Sequence, residues 1–102
     1  MTANEIQKLY EFYSDELRNN ILRFWLPRCE DTQFGGYLNC FDNRGTKLVS
    51  FDKYTWSQGR FLWMFSQLAM TKAPLFTEEE RNRFKDLAET GCRFLKEHCL
   101  IA

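Results

Sequence analysis

Fourteen Lys plus Arg stand against fourteen Asp plus Glu among 102 residues, so neither a basic nucleic-acid stripe nor an acidic disordered tail is present. A chain this short is one domain at most, and its 17% aromatic content supplies the apolar area of a core. The polar first ten residues hold no signal-peptide core and no apolar run reaches membrane-spanning length, which predicts a cytoplasmic protein without membrane partners.

The first predicted element is an amphipathic helix over 5–26. Ile6, Leu9, Tyr10, Tyr13, Leu17, Ile21, Phe24 and Trp25 recur at the three-and-four spacing of one buried stripe. Pro27 ends it, because the pyrrolidine ring disfavours helical geometry at the residue before it. Gly35-Gly36 then opens a β-hairpin over about 36–52. One strand is expected at Tyr37 to Phe41 and its return at Thr46 to Phe51, with Asp42-Asn43-Arg44-Gly45 as the turn.

A second helix is predicted over 55–70, opened by a Thr55–Gln58 capping box. Trp56, Phe61, Leu62, Trp63, Met64, Phe65, Leu68 and Ala69 wrap most of its circumference, the pattern of a helix buried on every side. A chain this short holds little protein to bury it, which points to a larger whole. A third helix, over 77–99, begins at a Thr77–Glu80 capping box. Its stripe is Phe84, Leu87, Ala88, Gly91, Cys92, Leu95 and Cys99, and it runs to Ile101-Ala102 without a cap. Its final residues, Phe94 to Cys99, weakly echo Leu22 to Cys29 ahead of the hairpin, as if a second helix–hairpin–helix unit were beginning.

Few residues suggest chemistry. Arg60 lies in the first turns of the apolar second helix, where a guanidinium needs acceptors. A structural ion pair and a fork for ligand hydroxyl or carbonyl oxygens account for it equally well. Tyr54 and Trp56 could stack on a sugar ring, Tyr54 being better placed to face a cleft, while core packing is the better account of Trp63. Lys53 reads as a solvated or locally paired loop charge, and His98 as a helix-terminal histidine.

Cys29, Cys40, Cys92 and Cys99 form no CxxC pair and read as buried reduced thiols, and nothing holds a metal. Glu30 and Asp31 are adjacent and point apart, so they are no hydrolase dyad by themselves. No nucleophile or phosphate-loop motif is present.

Taken in order, Phe24-Trp25, Asp31, Phe34-Gly35-Gly36-Tyr37, Asp42-Asn43-Arg44-Gly45 and the run Lys53 to Ser66 resemble the start of the N-acylglucosamine 2-epimerase family. That family includes cellobiose 2-epimerases and related aldose–ketose isomerases. The resemblance implies a mostly α fold, an (α/α)6 barrel. Residues 1–102 would form its N-terminal fragment, about three helices and the first hairpin. It implies carbohydrate metabolism and an isomerase chemistry. A proton alpha to the open-chain carbonyl is removed, and a cis-enediol(ate) is reprotonated by two histidines lying downstream.

On the same resemblance Arg60 contacts the sugar, Tyr54 lines the cleft, and Trp56 is a weaker third. No catalytic residue lies in this chain and no cofactor or metal is needed. The implied partners are a small-molecule sugar and the remainder of the barrel, with a homodimer possible for the full-length protein. The chain alone would be inactive. Two other readings stand beside this one: a small stand-alone helical module that binds sugar without turnover, and a glycoside hydrolase of the same barrel type.

Overall fold

The computed structural model describes residues 1–99 and is mostly helical, with one small antiparallel sheet. The predicted continuation over 100–102 lies outside the described residues. The chain opens with α1 (Ala3–Glu16), a π-helical turn (Leu17–Ile21) and α2 (Leu22–Trp25). Strands β1 (Cys40–Phe41) and β2 (Leu48–Ser50) follow, then α3 (Thr55–Met70) and α4 (Glu78–His98). Among the described residues no helix is long and apolar enough to cross a membrane.

Two helices start as capping theory requires. Thr77 accepts from the Glu80 N–H at 3.1 Å while Glu80 accepts from the Thr77 N–H at 2.9 Å. Thr2 and Glu5 form the same reciprocal pair at the head of α1, which starts two residues earlier than the predicted 5.

The first stripe is amphipathic but not buried. α1 contains no buried residue, and Ile6, Leu9, Tyr10 and Tyr13 are all exposed. The π-helical turn inserts extra backbone per turn and rotates the stripe, which packs on the core from Leu17 and is first fully buried at Leu22. As a result α1 projects from the rest. The radius of gyration is 15.5 Å, above the about 13 Å of a compact 100-residue domain.

The core lies where α3 and α4 pack together and the segment between α2 and β1 folds over them. Leu22, Cys29, Tyr37, Phe65, Leu68, Phe76, Phe84 and Leu87 are buried there. A file of rings runs through it: Trp25 meets Phe61 edge-on at 5.3 Å, Phe61 stacks on Tyr37 at 5.0 Å, and Phe65 stacks on Phe84 at 6.4 Å. Offset-stacked and edge-to-face pairs of this kind add to the stabilisation from burial alone.

The hairpin is shorter than the alternating pattern suggests. Tyr37 forms a bridge backwards, to Glu30, and only Cys40–Phe41 pair with Leu48–Ser50, across an irregular register. The cause is the loop before it. Gly35 and Gly36 both take positive φ, turning the chain so that Leu38 N donates to the Cys29 carbonyl at 2.6 Å. The Asp42–Gly45 turn forms, with Gly45 at φ +68° and Asp42 Oδ1 accepting from Thr46 N at 2.9 Å.

Candidate functional site

The N-terminal half of α3 is held by side chains from the loops around it. The anticipated Thr55–Gln58 capping box does not form. Tyr54 is the N-cap and makes no side-chain cap bond. Gln58 turns inward instead, accepting from Tyr37 N at 2.8 Å and donating to Tyr37 O at 2.9 Å. An interior amide pair is the stronger claim on Gln58, because buried backbone groups left unpaired cost more than solvated ones at a helix start. Ser57 Oγ donates to the Tyr54 carbonyl and accepts from Asn39 Nδ2, which ties the hairpin to the same turn.

One residue before Tyr54, Lys53 reaches across to Asp31. Their ion pair is 2.6 Å long and both side chains are almost fully buried. Asp31 also accepts from the Gln33 and Phe34 N–H groups at 3.0 Å each. Burial pushes its carboxyl up, but the Lys53 ammonium and the two N–H groups together outweigh that and hold it below its ordinary 3.8. Phe94 of α4 lies 5.5 Å from the Lys53 ammonium and closes the other side.

Arg60 differs from its expected setting. It is exposed, and among the described residues no ion pair joins it to a carboxylate. The face of α3 that carries it is the one that α4 and the hairpin leave uncovered, so the guanidinium meets solvent rather than an apolar interior. Its Cζ sits 5.5 Å from the Trp63 ring centroid, one helical turn on. Trp63 is 57% exposed and Trp56 74%, so neither is a core residue here. Trp56, Arg60 and Trp63 lie at i, i+4 and i+7, one stripe of the helix.

This stripe forms one wall of a groove of about 340 Å³ whose other wall is Ile21 and Trp25. Arg60 and Trp56 therefore share a site. Tyr54, although exposed, is not among the groove's lining residues. A larger groove of about 630 Å³ runs between α3 and α4, rimmed by Glu78, Arg81, Lys85 and Glu89. Its charges are of mixed sign and none of the sequence-predicted residues reaches it. Convergent polar and aromatic groups mark a ligand site better than size does; Arg60, Trp56 and Trp63 converge in this way, and Phe24, Trp25, Phe41 and Arg44 line another such groove of about 380 Å³ beside the Asp42–Gly45 turn.

The remaining candidates are structural. His98 is exposed near the end of α4, 4.8 Å from the Phe94 ring, and is not among the groove's lining residues. Of the four free cysteines only Cys29 is fully buried, whereas Cys40, Cys92 and Cys99 are half-buried, a correction to the expectation of four interior thiols. Burial pushes the Cys29 thiol up to about 11, against a smaller opposing effect of Arg83. Among the described residues no group of side chains could hold a metal ion. The sequence suggests a capping role for Gln58 and a solvated or local one for Lys53, whereas the fold engages them in the interior with Tyr37 and Asp31. The one signal of that engagement is the Gly-Gly-Tyr run, since paired glycines mark a close backbone approach.

No protein-family model matches the chain. Its sequence is related to N-acylglucosamine 2-epimerases. It is 30% identical over 84 residues to those of Rattus norvegicus and Mus musculus, and 29% to that of Homo sapiens. The match covers 82% of this chain but 19% of the rat protein, so the chain spans about a fifth of the length of the curated relatives it matches.

Proposed function

We propose that this chain is the N-terminal part of a sugar 2-epimerase or aldose–ketose isomerase with an (α/α)6 barrel, and that its Arg60 groove is a segment of the sugar-binding wall. The observation that carries the reading is the juxtaposition of an uncommitted guanidinium with the Trp56 and Trp63 indoles, inside the region of similarity to the epimerases. Arg60 supplies donors in a rigid fork for sugar oxygens, and an indole suits the C–H face of a pyranose. Tyr54, beside the groove entrance in sequence, is assigned to the cleft on the family resemblance alone.

The reaction is proton removal alpha to the open-chain carbonyl, giving a cis-enediol(ate), and reprotonation at the same or the neighbouring carbon. The role of this chain is binding and orientation. Its one histidine, His98, is not among the groove's lining residues, so the acid–base groups come from elsewhere in the barrel. Positioning without them forgoes the proton-transfer contribution, typically 10²–10⁴-fold, and the chain alone is inactive.

The test is a chimera in which this chain replaces the matching segment of the rat epimerase, assayed for deuterium wash-in at C2 of N-acetylglucosamine. Exchange by the chimera and none by the chain alone supports the reading. A folded chimera without exchange overturns it.

A second reading, a stand-alone sugar-binding module, is favoured by one observation. Among the described residues every buried side-chain nitrogen and oxygen has a hydrogen-bond partner within the chain. Sugar binding by the chain, with a folded but inactive chimera, would select it.

A further inference from the structure

We infer that Trp63 is a sugar-contact residue of the Arg60 groove, its indole being the platform on which the C–H face of a pyranose stacks. This rests on the sugar-site reading above and extends it to a side chain that the sequence assigned to the core. Trp63 lies two residues before the fully buried Phe65, yet 57% of it is exposed. Its indole lines the groove together with Arg60 and Trp56, so a ligand seated on the guanidinium also reaches the ring.

The chemistry of the groove selects the ligand. Ser57 Oγ is already engaged with the Tyr54 carbonyl and Asn39, and no carboxylate lines the groove. The uncommitted polar group is the Arg60 guanidinium, held 5.5 Å from the Trp63 ring centroid, within the range of a cation–π contact. A ligand that fits therefore offers acceptor oxygens on one edge and apolar C–H groups on a face. That is a neutral or anionic pyranose, whereas a cationic ligand would meet Arg60 repulsively. The volume of about 340 Å³ suits a molecule of monosaccharide size.

Circular dichroism and the unfolding midpoint establish that each variant is folded before binding is compared. The experiment is saturation-transfer NMR on the chimera with the rat epimerase, with N-acetylglucosamine, comparing this chain's wild-type sequence, Trp63→Ala, Trp63→Phe and Arg60→Gln within it. Ring-current stacking shifts the sugar's axial C–H protons upfield, a signature that a merely structural residue would not alter. The expected result is binding by wild type with that shift, about tenfold weaker binding and loss of the shift in Trp63→Ala, and partial rescue by Trp63→Phe. Binding lost in Arg60→Gln but unchanged in affinity and shift in Trp63→Ala overturns this inference and leaves the sugar site standing. No binding by wild type overturns both.

Discussion

Gln58 holds the backbone of Tyr37 at both polar groups, accepting from its N–H at 2.8 Å and donating to its carbonyl at 2.9 Å, with Gln58 and Tyr37 both wholly buried. The amide thus stands in for a missing strand neighbour and fastens the Gly-Gly loop to the first turns of α3. Gln58→Ala leaves two buried backbone groups unpaired at about 1–3 kcal/mol each. Urea unfolding should show a loss of about 2–5 kcal/mol, and a loss under about 1 kcal/mol would contradict the clamp.

The Tyr37 ring makes a second demand, on a glycine fifty-four positions later. Its hydroxyl donates to the Leu87 carbonyl at 2.6 Å, and a Cβ on Gly91 would overlap that hydroxyl. Gly91→Ala must displace the ring and destabilise, whereas Gly59→Ala meets nothing within 4 Å in the interior of α3. The second variant should gain about 1 kcal/mol from helix propensity alone. Thermal melts of the two should move in opposite directions.

Asp31 and Lys53 set the acid limit. The folded state lowers the Asp31 carboxyl below 3.8, so the unfolded chain binds more protons as pH falls through that region. The contribution to stability is full above the ordinary value and is lost as pH drops through the folded one. Lys53→Met breaks a buried pair, at about 3–5 kcal/mol, and leaves burial opposed by two N–H groups only. Its acid-unfolding midpoint should lie at higher pH than that of wild type. An unchanged midpoint would show that the pair contributes nothing to the folded state.

Cys29 sets part of the alkaline limit with the opposite sign. Its thiol rises from 9.0 to about 11 on folding, so the folded chain keeps a proton that the unfolded chain releases between those values. Stability contributed by the thiol falls as pH rises across that window. Cys29→Ala should flatten the alkaline loss, read from urea midpoints at pH 8 and pH 10.5.

Much of the fold was legible because its signals are local. Thr77 and Glu80 announce a helix start through bonds three residues apart, and Gly45 announces a turn through its own φ. What was misread depends on partners distant in sequence. Gln58 has capping-box spacing, but its partner Tyr37 lies twenty-one residues away and takes the amide inward. Tyr37 alternates like a strand residue, yet Gly35 and Gly36 turn it back towards Glu30.

Arg60 looked buried because its helix is apolar all round, and which sides of α3 receive a neighbour cannot be read from that helix's own residues. The Trp63 indole has a core pattern for the same reason, yet lies on the uncovered face beside the guanidinium.

The central claim, that Arg60 orients a sugar for proton transfer, is tested most directly in the chimera with the rat epimerase. The measurement is kcat/KM for C2 exchange of N-acetylglucosamine with Arg60, Arg60→Lys and Arg60→Gln. A bidentate fork predicts a loss of about 10²-fold or more in Arg60→Gln, only partly restored by the point charge of lysine. Equal kcat/KM in all three folded proteins would contradict it.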